Sequence, residues 1–176
     1  MDAKKQIKQF INPNWIPAVV MIVFFPLAIF GLIILLCTVL PGLNRSKKSI
    51  QKLEALGKLN QAALELKSPA AKQYMNGKLI LTDNFVFCKN TGYVFTYEEF
   101  LWVYRHRFTQ RVFLIPIKVT ESLCAGTRIS KPVPIASMGK DKMDQITNAI
   151  LEIYKHNPRC LVGYSDQNAD AFKQMR

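Results

Sequence analysis

The side chains that could do chemistry in this chain are few, and their spacing restricts what they could do. The densest cluster is Arg105-His106-Arg107, in which two guanidinium groups flank an imidazole suited to acid–base work. No orienting carboxylate or nucleophile motif stands beside His106, so a core or rim position is favoured over a catalytic one. Glu98 and Glu99 are adjacent; on a strand they would point to opposite faces, and in a tight turn both would be solvated. Neither arrangement makes an acid–base pair. GxSxG, HExxH, GxxxxGKS and GxGxxG are all missing from the sequence. The expectation is a protein that is not an enzyme, with no catalytic and no cofactor-binding residues.

The cysteines point the same way. Cys37 lies within an apolar block, and Cys88, Cys124 and Cys160 are scattered without CxxC spacing, which favours a reducing compartment over a disulfide framework. His106 and His156 stand at no metal-ligand distance in sequence from any cysteine, so no metal is expected.

The formal net charge of +12 would suit an anionic partner, and its distribution suggests which one. Its densest run, Arg45, Lys47, Lys48 and Lys52, directly follows the apolar block, where anionic headgroups attract each Lys or Arg by roughly 1 kcal/mol. With Trp15 at the other end of that block, these residues form the expected membrane-interface set. Arg105, Arg107 and Arg111 make only a modest basic stripe, read as a solvated or membrane-facing surface, and nucleic acid is not expected as a partner.

Trp15 to Leu40 contains 26 residues without a charged side chain, about 39 Å of helix at 1.5 Å per residue. That length predicts one transmembrane helix, with Pro26 as a kink, and exceeds the apolar core of a signal peptide. Three bases precede it and five follow within 20 residues, which places the C-terminal domain in the cytoplasm of a single-pass cell-membrane protein. The expected organisation is an N-terminal flank (1–14), the transmembrane helix (15–40), a juxtamembrane helical linker (41–75) and a β domain (76–176).

Pro41-Gly42 is expected to end the membrane helix, and Ser46 to Lys67 to form a second one that lies on the membrane, forms a stalk or packs on the domain. Beyond Asn76-Gly77, the runs KLILT, FVFCK and YVFTY, separated by turn residues, read as antiparallel strands within a set of about seven. In FLWVYRHRF, alternation puts Phe100, Trp102, Tyr104, His106 and Phe108 on one face, expected to be the buried one. Lys140 to His156 carries an apolar stripe of Met143, Ile146, Ile150 and Ile153, expected to cover the sheet bearing Trp102 and Tyr104. A last short helix should start at Ser165 or Asp166 and bury Phe172.

The segments GKLILTDNFVF, YVFTYEEFLWVYR and NPRCLVGYS resemble bacterial membrane-anchored proteins with a pleckstrin-homology-like (PH-like) domain, a group of uncharacterised function. The resemblance covers Asn76 to Arg176 and implies a PH-like antiparallel sandwich or barrel with a C-terminal amphipathic helix, mainly β within an α+β chain. It carries no lipid-headgroup site, because Asp83-Asn84 stands in the loop where eukaryotic members place a basic cluster. The function expected on these grounds is a non-catalytic, membrane-tethered scaffold that presents its domain to a membrane or cytoplasmic protein partner. The alternatives are a sensor of anionic lipid at the bilayer surface and an accessory subunit of a larger membrane complex.

Overall fold

The structure is a computed structural model that describes residues 2–12, 39–89, 91–112, 115–139 and 143–176. The chain divides into two compact units, Met1–Ala71 with Phe87–Val94, and Lys72–Val86 with Phe95–Arg176.

The first unit is built on three helices. Helix α1 (Ala3–Ile11) starts at Asp2, whose carboxylate accepts from the Lys4 amide at 3.1 Å, and it buries Ile7 and Ile11, four residues apart on one face. Helix α2 (Leu40–Ala55) buries Gly42, Ser46, Ser49, Ile50 and Leu53, again at helical spacing. Pro41 does not end a helix here. It stands in the first turn of α2. The helix expected over Ser46–Lys67 is interrupted at Gly57, whose φ of +67° is a conformation glycine adopts without strain. Lys58 N bonds Leu53 O at 3.0 Å and Gly57 N bonds Glu54 O at 3.0 Å, a Schellman closure, and α3 (Leu59–Lys67) then begins.

The turn after Cys88 belongs to this unit. Gly92 N donates to Ile11 O at 3.1 Å, and Ser49 Oγ donates to Gly92 O at 2.8 Å. A Cβ on Gly92 would collide with Gly42 O and stand 2.8 Å from Ser46 N, so the backbone approach itself requires glycine. Phe10 meets Phe87 edge to face at 6.4 Å.

These helices correct the membrane expectation. Among the described residues no helix is long and apolar enough to cross a membrane. Helix α2, with 16 residues, extends about 24 Å against a hydrocarbon core of about 30 Å, and it carries five charged side chains between Arg45 and Glu54. The single-pass transmembrane assignment, and the cell-membrane localisation that rested on it, are overturned on this finding. Residues 15–38 of the expected span, with Trp15, lie outside the described residues, and Leu40 opens α2 instead of closing that span.

The strands are β1 (Lys72–Tyr74), β2 (Leu79–Leu81), β3 (Phe85–Cys88), β4 (Tyr93–Thr96), β5 (Phe100–Val112), β6 (Ile115–Thr127), β7 (Val133–Gly139) and β8 (Leu161–Val162). One four-stranded sheet has the order β1-β2-β3-β4 and the other β7-β6-β5-β8. Helix α4 (Met143–His156) precedes β8, and α5 (Asp166–Met175) closes the chain, with Ser165 Oγ accepting from Asn168 N at 3.0 Å as its N-cap.

This arrangement also corrects the fold class, expected as a transmembrane helix plus a PH-like sandwich closed by one helix. Asn157-Pro158 stops α4, and β8 then enters the second sheet parallel to β5, with Leu161 opposite Trp102, which makes that sheet mixed. A further helix follows. The Trp102 and Tyr104 rings pack with Leu101, Cys124 and Phe172, so α5 and not α4 covers this cluster. Ile146, Ala149 and Ile153 of α4 are fully buried, and α4 lies against β5 and β6 outside that cluster.

The strict alternation expected along β5 fails at its start. Phe100 pairs with Thr127 and Trp102 with Gly126, so Leu101 is an extra residue in a β-bulge. The bulge puts Leu101 in the same cluster as Trp102, while Phe100 meets Phe95 at 5.1 Å. Burial therefore covers every residue from Phe100 to Tyr104 instead of one face, and ends there: His106 is exposed and Phe108 is 52% exposed.

Candidate functional site

Strands β5 and β6 are 13 residues each and pair as far as Val112 and Ile115, but β8 touches β5 only at Trp102 and Val103 and β7 pairs only with Thr120–Ala125 of β6. Past Val103 no described strand pairs with the outer side of β5, while β6 stays paired with β7 from Thr120 to Ala125. This part of the β5–β6 ribbon thus has an open edge at β5 and two faces decorated with polar and aromatic groups. Register assigns them: Tyr104 opposes Cys124, His106 opposes Ser122, Phe108 opposes Thr120 on one face, and Arg107 opposes Glu121 on the other. Pro116, expected at a bulge or an edge, pairs with Arg111 where the register shifts.

The first face lines an open cavity of about 410 Å³ formed by Tyr104, His106, Phe108, Thr120, Ser122, Cys124, Pro132 and Pro134. Burial, reinforced by proximity to Cys124, pushes the Tyr104 phenol up to about 12. Burial raises the Cys124 thiol too, against the opposing effect of the Tyr104 hydroxyl. Ser122 Oγ and Ser137 Oγ share a hydrogen bond at 2.8 Å. Ser122 is therefore engaged and Cys124 is buried as the thiol, and no carboxylate lines the cavity to orient His106. What the wall offers a ligand is two prolines, two aromatic rings, one of them exposed, and an imidazole.

On the second face Glu121 is fully buried, with Arg105 Nε 3.1 Å from its Oε2 and Arg107 Nε 3.8 Å from its Oε1. Neither carboxylate oxygen has a hydrogen-bond partner among the described residues, so two ion pairs alone compensate its desolvation. Sequence reading missed this carboxylate, because its burial comes from its place on β6 between β5 and β7 and nothing local marks it.

The profile of a family described as Domain of unknown function (DUF6709) matches residues 44–172. The chain belongs to this family. The DUF6709 match runs from α2 into α5 and contains both faces of the ribbon. No curated protein and no solved structure significantly matches the chain.

The DUF6709 segment also holds the basic residues singled out from sequence. Arg45, Lys47, Lys48 and Lys52 all stand on α2. Arg45 lies over the Tyr93 ring at 5.4 Å, and Lys52 Nζ donates to Val94 O at 2.8 Å, both within the first unit. Lys47 lines a 420 Å³ cleft with Lys4, Lys8, Asn44, Gln51 and Glu54, where Lys4 and Glu54 pair at 2.8 Å. Glu99 is structural: its carboxylate accepts from Thr96 N at 2.9 Å in a capping box, while Glu98 is exposed. Among the described residues no cluster of His, Cys, Asp and Glu could hold a metal ion.

Proposed function

We propose that this chain is a non-catalytic binding module, and that the groove on the Tyr104–Phe108 face of the ribbon receives an apolar side chain of a partner protein. The observation that supports it most is the state of the groove's reactive atoms. Cys124 is buried, with its thiol raised by desolvation, and Ser122 is bonded to Ser137, while the Phe108 ring beside them is 52% exposed. A hydrolase would need the opposite, an accessible nucleophile beside an oriented base. An exposed aromatic ring flanked by Pro132 and Pro134 is the composition of a peptide-contact wall, in which rigid rings and prolines contribute apolar area with little ordering entropy to lose.

The test compares full-length chains carrying Phe108→Asp, Ser122→Ala or Cys124→Ala in the native host. The module reading expects Phe108→Asp to abolish recovery of a stoichiometric partner and the other two to retain it. Ester, thioester or peptide turnover that disappears with Ser122→Ala or Cys124→Ala would contradict it.

A further inference from the structure

The opposite face of the ribbon carries a second arrangement that the groove does not use. Glu121 is buried, and both of its ion pairs run through the Nε of an arginine. A guanidinium has five N–H donors in a planar fork, so an arginine held by Nε still has its terminal nitrogens to offer. The side chains of Arg105 and Arg107 are 37% and 51% exposed, and neither has a further partner among the described residues. They sit two residues apart on one face, a repeat of about 6.6 Å along a strand. The two ion pairs bring the inner nitrogens nearest the buried acid and leave the terminal nitrogens of both arginines on half-exposed side chains.

We infer that Arg105 and Arg107, aligned by Glu121, form a receptor for a carboxylate on an acidic segment of a partner protein. Charge selects this ligand. Two guanidinium charges against one carboxylate leave the cluster with a formal +1, which a single carboxylate neutralises, whereas a phosphate dianion would over-neutralise it. The wider field agrees, since the chain has a formal net charge of +12, which steers acidic partners toward it. Glu121 acts as a positioning residue and does not touch the ligand. Because this face is turned away from the groove, loss of carboxylate binding and loss of groove binding are separable.

The experiment titrates the full chain with a hexaglutamate peptide and with a hexaglutamine peptide at constant ionic strength, since screening would otherwise dominate the comparison. Hexaglutamate is expected to bind, and Arg105→Lys and Arg107→Lys each to weaken it about tenfold, because lysine keeps the charge and loses the fork. Glu121→Gln is expected to weaken binding too, although it adds positive charge to the cluster. Acetate is expected to displace the peptide at least as well as inorganic phosphate. Equal affinity for the two peptides, lysine variants that bind as tightly as the parent, tighter binding by a folded Glu121→Gln chain, or preferential displacement by phosphate would each overturn the assignment. If Glu121→Gln does not fold, the two lysine variants, altered at exposed side chains, decide the matter.

Discussion

Gly126 of β6 lies directly beneath the ring of Phe172 from α5: a Cβ on that glycine would stand 2.7 Å from Phe172 Cε2 and 2.8 Å from its Cζ. Glycine is required there by the approach of a side chain, since its backbone has no left-handed φ. The contact fixes the last helix onto the Trp102 face of the second sheet, together with Trp102 Nε1, which donates to Gly163 O at 2.8 Å.

Gly126→Ala is therefore expected to destabilise the chain by about 1–3 kcal/mol, the range for overpacking a filled core. Phe172→Leu in the same chain should recover part of the loss by removing the ring atoms that collide. Thermal unfolding of the two variants checks this, and a Gly126→Ala chain as stable as the parent would show that α5 does not close this cluster.

Several elements were legible in the amino-acid order. The apolar runs at β2, β3 and β4, the stripe of Ile146, Ile150 and Ile153, and the Ser165 cap are local patterns, and local patterns survive folding. The bulge at Leu101 was not legible, because alternation carries no mark of an inserted residue until a partner strand is paired with it. Pro41-Gly42 misled for a related reason: a proline that ends one helix and one that starts another have the same neighbours in sequence. The candidate groove was half legible. His106 was singled out and expected on the buried aromatic face, whereas the ribbon outruns its cover after Tyr104 and leaves it exposed. The pairing of Glu121 with Arg105 and Arg107 is visible only through register.

Acid should weaken the link between β1 and α4. Lys72 Nζ bonds Glu152 Oε1 at 2.7 Å, and that bond, with the charges of Lys72 and Lys155, holds the Glu152 carboxyl below its ordinary value against the opposing effect of burial. The same bond raises Lys72. A depressed carboxylate contributes stability above its unfolded pKa and loses it as pH falls through the folded value; a raised lysine contributes below its unfolded pKa and loses it as pH rises through the folded value. Both contributions are present at neutral pH. Glu152→Gln should thus lower the melting temperature at neutral pH by a margin that closes as the solution is taken below the carboxylate range, to about pH 2. A gap of constant size across that range would contradict the assignment.

Three thiols should be slow to react in the native state. Cys88, Cys124 and Cys160 are buried, and desolvation raises all three, Cys160 to about 12. Since the thiolate is the reactive form, alkylation at mildly basic pH followed by peptide mass mapping should leave these three unmodified until denaturant is added. Rapid native labelling of Cys124 would show that burial does not shield it, and would reopen the case for chemistry in the groove.

The binding reading rests on Phe108 being where a partner touches this chain. A photo-reactive phenylalanine analogue placed at position 108, in the full chain and in its native host, reports that contact directly, with position 173 on the exposed face of α5 as the control. The account expects one discrete protein adduct from position 108, lost when Pro134 is changed to Asp in the same chain, and none from position 173. Adducts of equal yield from both positions, or no protein adduct from position 108, would contradict it.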